Sequence, residues 1–153
     1  MVSDRHIRLL AHNVRSLWNV GSFFRTCDAF RIEKLYLTGY TGCPPRKEIT
    51  KTALGAEETV AWEKHQDPLD VMAQLKNEGW ELVALELSPQ AIDLADYRPT
   101  NKVCLVAGHE LSGVPQEQLD LCSVHVKIPM LGKKESLNVA VAAGIALHHL
   151  RFC

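Results

Sequence analysis

At 153 residues and 46% apolar, the chain is of a size to fold as one globular domain around a core of its own. Its longest apolar run, Val139 to Leu147, falls short of the ~20 residues that cross a bilayer, and "MVSDRHIRLL" contains no signal-peptide stretch, so a cytoplasmic protein with no membrane partner is expected. The formal net charge of -1 conceals an asymmetry: residues 1–51 hold nine Lys/Arg against four Asp/Glu, and residues 52–153 hold eight against fourteen. A basic N-terminal third is either a footprint for phosphates or simply a solvated face.

Strand and helix patterns alternate along the chain. "HIRLLAH" reads as a strand and "NVGSFFRTCDAF" as a helix. In that helix Val20, Phe23, Phe24, Cys27 and Phe30 recur as a core stripe, while Asn19, Ser22 and Arg25 at i, i+3 and i+6 are assigned to another face. "KLYLTG" follows as a strand, "RKEITKTALG" as a short helix and "TVAW" as a strand. "DPLDVMAQLKNEG" is a helix with Pro68 near its first turn and Gly79 closing it, and "WELVALEL" is the next strand. "KVCLVAG" is a continuous apolar strand, "PQEQLDLC" a short helix opened by Pro115, and "VHVKIPM" a strand. The last helix is expected over Ser136 to Leu150, with Ser136 as a preferred N-cap residue. Gly144 inside it costs roughly 1 kcal/mol relative to Ala, so another backbone is expected to approach closely there.

This order implies an α/β fold, a mostly parallel sheet flanked by helices on both faces. In such sheets ligands sit beyond the carboxyl ends of strands, which directs attention to the residues after "VALEL", "CLVAG" and "VKIPM". After "CLVAG" comes "GHELSGV". Gly108 there can admit a ligand to the backbone and Glu110 can orient a polar group, although the same residues would serve as an ordinary strand-to-helix connection. His109 reads as a turn residue rather than a base. Arg25 is either solvated or a guanidinium fork aimed at a phosphate or ribose oxygen. The five cysteines are odd in number and form no CxxC pair, and the adjacent His148 and His149 point in different directions on a helix. Neither a disulfide framework nor a metal site is expected.

Three segments together carry more information than any one of them. "NVRSLWNVGSFFRT" (Asn13 to Thr26), "AGHELSGV" (Ala107 to Val114) and "IPMLGKKESLNVAVA" (Ile128 to Ala142) resemble, in order and spacing, the three motifs of the SpoU/TrmH-type RNA ribose 2'-O-methyltransferases of the SPOUT class. The resemblance implies a SPOUT fold with a C-terminal trefoil knot, an exception to the rule that chains do not knot. It further implies S-adenosyl-L-methionine as cofactor, a homodimer, and an RNA substrate, tRNA before rRNA. One domain over residues 1–153, without an appended RNA-binding domain, would do this work. Carried over by motif, Asn19, Arg25, Glu110, Ser136 and Asn138 are the catalytic candidates. Leu85, Gly108, Ile128, Ser136 and Leu137 are the cofactor contacts. The expected RNA footprint is Arg15, Arg25, Arg46, Lys47 and Lys51. Two alternatives stand beside this reading. One is a catalytically idle dimer of the same fold that binds cofactor or RNA. The other is a generic nucleotide-binding α/β enzyme, for which a GxGxxG loop would be expected where "HNVRSLWNVG" stands.

Overall fold

The computed structural model describes residues 2–153. Its apolar runs become seven strands: β1 (His6–His12), β2 (Lys34–Thr38), β3 (Trp62–His65), β4 (Glu81–Leu85), β5 (Ile92–Asp93), β6 (Lys102–Ala107) and β7 (Val124–Lys127). They form one sheet in the order β3-β2-β1-β6-β4-β7-β5, and every pairing is parallel. Strands β1 and β6 lie side by side near its middle, with Leu9 opposite Leu105 and Ala11 opposite Ala107.

Alternation along the strands divides the core in two. Leu9, Leu35 and Leu105 face one side, where α1 (Leu17–Ala29), α2 (Lys47–Ala53), α3 (Ala56–Thr59) and α6 (Val139–Phe152) cover them with Phe23, Phe24, Ile49 and Leu147. Leu10, Leu82 and Val106 face the other, beneath Met72 and Leu75 of α4 (Pro68–Asn77) and Leu119 of α5 (Gln116–Leu121). Covering on both faces is why these strands read as nearly continuous apolar runs. Among the described residues no helix is long and apolar enough to cross a membrane.

Side-chain caps mark the starts of α1, α4 and α6. The Ser16 hydroxyl caps α1 by accepting from the Asn19 N–H, and Asp67 caps α4 ahead of Pro68 at its start. At the far end of α6, buried Arg151 donates to the carbonyls of Ser3, Arg5, Phe30 and Arg31, which locks the helix against the N-terminal segment. That anchor fixes where the other end of α6 sits.

Several expectations need correction. The third strand begins at Trp62 rather than Thr59, because residues 56–59 form α3 and bury Ala56 and Val60 instead. The last helix begins at Val139, and its N-cap is Asn138, not Ser136. The two-residue β5 and the 3-10 turn Leu94–Asp96 are too short to carry any periodicity. A Cβ on Gly144 would have Thr26 Cγ2 as its nearest neighbour at 3.8 Å, so no backbone crowds that glycine within the protomer.

Candidate functional site

The loop after β6 turns back over the start of α1. A helix start leaves backbone N–H groups without intrahelical partners, and here a side chain from the loop takes two nearby ones. The Glu110 carboxylate accepts from the Arg15 N–H at 3.0 Å and the Ser16 N–H at 2.9 Å, and from the Asn19 side-chain amide at 3.2 Å. Burial alone would raise the Glu110 pKa. The backbone N–H bonds from Arg15, Ser16 and Glu110 itself, with the Asn19 amide, outweigh that and hold it below the usual carboxylate range. The group is therefore an anion at neutral pH.

Asn19 passes the connection on. Its Oδ1 accepts from Asn138 Nδ2 at 3.2 Å, and Asn138 Oδ1 in turn accepts from the N–H groups of Ala140 at 2.8 Å and Val141 at 3.3 Å. A single line of hydrogen bonds thus runs from the loop after β6, through the first turn of α1, to the cap of α6. Because Glu110 can only accept, the Asn19 amide must present its NH2 to Glu110 and its oxygen to Asn138, so the line has one polarity. Asn19 is 9% exposed, and a buried amide of this kind is costly unless both ends are satisfied.

Beside this line lies a cavity of about 320 Å³ at the carboxyl ends of β4, β6 and β7. Leu85, Gly108, Ile128, Ser136 and Leu137 all line it, and so does Glu110. The five expected cofactor contacts are therefore gathered in one place. Gly108 has a reason beyond ligand access: a Cβ there would collide with the backbone of Gly113 and Val114, where the loop folds back. Sequence reading missed Glu86. Its carboxylate accepts from the Val114 N–H at 2.7 Å and the Leu87 N–H at 3.0 Å, pinning the loop to the end of β4. The available signal was a carboxylate directly after an apolar strand.

Arg25 is not part of this cluster. It is exposed on α1 and borders a surface cleft with Ser22 and Lys51, whereas Asn19 faces α6. The expected common face for Asn19 and Arg25 is wrong for a geometric reason: six residues at ~100° each leave them about 120° apart around the axis. Arg15 is exposed in the loop next to Glu110, and Arg46 and Lys47 are exposed at the start of α2. Among the described residues none of these five cations takes part in an ion pair. A second open groove runs between α1 and α6, where Thr26 and Phe30 face Val141, Gly144, Ile145 and His148. Val141 and Ile145 are 52% and 42% exposed there.

A model of the SpoU rRNA Methylase family matches residues 6–148, which spans all three segments that meet at this site. The chain belongs to that family. It is 34% identical over 146 residues to a tRNA (guanosine(18)-2'-O)-methyltransferase of Aquifex aeolicus (strain VF5), covering 95% of this chain and 68% of that protein. It is 32% identical over 130 residues to the enzyme of the same name from Escherichia coli (strain K12), covering 85% of this chain and 56% of that one. Its fold superposes on an AdoMet-bound rRNA methyltransferase from Sinorhizobium meliloti with a TM-score of 0.89 at 26% identity, over 95% of this chain and 55% of that chain. The chain thus spans little more than half the length of two of these three relatives.

Proposed function

We propose that this protein transfers a methyl group from S-adenosylmethionine to a ribose 2'-hydroxyl of RNA, with tRNA favoured over rRNA. The observation that carries the proposal is the line Glu110–Asn19–Asn138 set at the edge of a cavity that holds every expected cofactor contact. The names of the Aquifex and Escherichia relatives support the reaction and favour tRNA.

The residues present fit the cofactor. The cavity falls at the lower end of the ~300–1,000 Å³ usual for small-molecule sites. Leu85, Ile128 and Leu137 give it apolar walls for a purine, and the strand ends bring backbone groups to its rim. S-Adenosylmethionine supplies a methyl group already activated on a sulfonium, so the chain has only to align a ribose oxygen and have its proton removed. Asn19, Glu110, Ser136 and Asn138 orient the ribose through hydrogen bonds. Arg25 does not act as a base, since a guanidinium of pKa above ~12 stays protonated. Its role is to hold the adjacent phosphate and stabilise the developing alkoxide, while phosphate or solvent takes the proton.

Arg25 borders a cleft apart from the cavity of its own protomer, and the open groove between α1 and α6 offers a face on which a second copy would bring it to one. We assign the homodimer to that face, so that Arg25 of one protomer serves the cavity of its partner. We further propose that residues 128–138 complete a trefoil knot by threading the loop between β4 and β6; the place of β4 between β6 and β7 in the sheet favours such a path. In this reading Arg15, Arg25, Arg46, Lys47 and Lys51 form the RNA footprint, residues 1–153 act as one SPOUT domain, and the reaction is cytosolic, where the five free thiols remain reduced. The test is incorporation of labelled methyl groups by purified protein into tRNA and rRNA transcripts, followed by mapping of the modified nucleotide. Protein that binds S-adenosylmethionine but methylates no RNA ribose would overturn the proposal.

A further inference from the structure

A second built feature stands at the carboxyl edge of the sheet, next to the cavity but outside the line just described. Tyr40 follows β2 and is 57% exposed, yet the backbone carrying it is tied down on both sides. Asn13 Oδ1 accepts from the Tyr40 N–H at 3.0 Å, and Asn13 itself adopts a left-handed φ of 53° to do so. Lys64 Nζ donates to the carbonyls of Gly39 and Thr41, the residues flanking Tyr40. The buried Thr41 hydroxyl donates within reach of the Thr38 and Ala11 carbonyls, at 2.8 and 3.2 Å. Gly39 has φ +66°, and a Cβ there would collide with the Asn13 side chain. An ion-forming lysine spent on two loop carbonyls and a strained asparagine make a pedestal, and the pedestal presents an aromatic ring to solvent.

Across from it stands His109, on the lip of the cavity. The two ring centroids are 6.5 Å apart at 81°. His109 Nδ1 accepts from the N–H groups of Leu111 at 3.0 Å and Ser112 at 3.1 Å. With Nδ1 an acceptor, the ring N–H lies at Nε2, and it has no partner among the described residues. The Tyr40 hydroxyl has none either. A rigid exposed aromatic face beside a free, oriented donor is the pairing that single-stranded RNA recognition uses, because an unstacked base offers a π-face and acceptors on its edges.

Resting on the methyltransferase reading above, the geometry points to Tyr40 and His109 as a nucleobase subsite: one base of the RNA stacks on the Tyr40 ring and accepts a hydrogen bond from His109 Nε2–H. The subsite holds the base while its ribose lies at the edge of the adjacent cavity, beside Glu110. It adds selectivity for an unpaired nucleotide that the basic footprint, which reads only phosphates, does not provide.

The experiment compares Tyr40→Ala, Tyr40→Leu and Tyr40→Phe for equilibrium binding of an unmodified tRNA transcript, S-adenosylmethionine binding, and the KM and kcat of methylation. Loss of one base–aromatic stack predicts RNA affinity ~10-fold weaker and KM for RNA raised by about as much in the Ala and Leu variants. Cofactor affinity stays unchanged, and Phe retains wild-type RNA binding because it retains the ring. Equal RNA affinity in Leu and Phe variants would overturn the stacking assignment, as would wild-type KM in Tyr40→Ala; neither result touches the methyltransferase reading. A wild-type protein that methylates no RNA overturns that reading, and the subsite falls with it.

Discussion

Changing Asn138 to Asp separates two tasks that one amide performs. Its Oδ1 caps α6 through Ala140 N and Val141 N, while its Nδ2 donates to Asn19 at 3.2 Å. A carboxylate keeps the cap and gains ~0.3–1 kcal/mol from the helix dipole. It cannot donate, and it sets a second acceptor against Asn19 Oδ1. Asn19 cannot turn over to relieve this, because Glu110 holds its NH2. Leaving the buried Asn19 Oδ1 without its donor costs about 1–3 kcal/mol, which exceeds the dipole gain by roughly 1–2 kcal/mol, so Tm falls by ~2–6 °C. Asn138→Ala removes cap and link together, about 2 kcal/mol in all, which at ~2–4 °C per kcal/mol for a chain of this size lowers Tm by ~4–8 °C. Both variants should slow single-turnover methylation at saturating cofactor by ~10- to 100-fold, the scale of a misplacement of about an ångström. Thermal denaturation and single-turnover rates on a tRNA transcript measure the two effects separately. An Asp variant that turns over at the wild-type rate refutes the catalytic role of the link, and an Ala variant with wild-type Tm refutes the cap.

Arg25→Ala should leave folding and cofactor binding intact while cutting methyl transfer by ~100-fold or more, with Arg25→Lys rescuing poorly because an ammonium lacks the planar fork. Co-expressed with Asn138→Asp, Arg25→Ala should form mixed dimers more active than either homodimer; no gain in purified mixed dimers would mean that Arg25 serves its own protomer. Replacing Arg46, Lys47 and Lys51 together by Ala should make the slope of log RNA affinity against log salt shallower by ~0.7–0.9 for each phosphate no longer neutralised, and an unchanged slope would put the footprint elsewhere. Alkylation of the native protein at neutral pH should label exposed Cys153 and half-buried Cys43 but spare Cys27, Cys104 and Cys122, since burial raises the first two thiols far above their usual range and pushes Cys122 up to about 12. Mass spectrometry that finds Cys104 modified before unfolding would refute the burial argument.

What the sequence determined by itself was whatever depends on local patterning. Strands β1, β4 and β6 were legible because a strand covered on both faces must be apolar throughout, and α1 and α4 because their core stripes, caps and stops fall within a few residues of one another. Residue types at the site were legible only through the three motifs taken together; a lone Glu in "GHELSGV" or a lone Asn in "SLNVAV" carries no local sign of its partner.

Partnership was left to the tertiary structure. Glu110 meets Asn19 across 91 positions and Asn138 meets Asn19 across 119, distances over which no periodicity operates. They meet because β1 and β6 pair in register, which brings the loop after one over the helix that follows the other. The same long-range placement made Asn138 rather than Ser136 the cap of α6, where its side chain bonds both that helix start and Asn19. It also turned Arg25 away from the cluster its motif shares, because the burial of Phe23, Phe24 and Cys27 sets the rotation of α1 before any polar residue on it has a say.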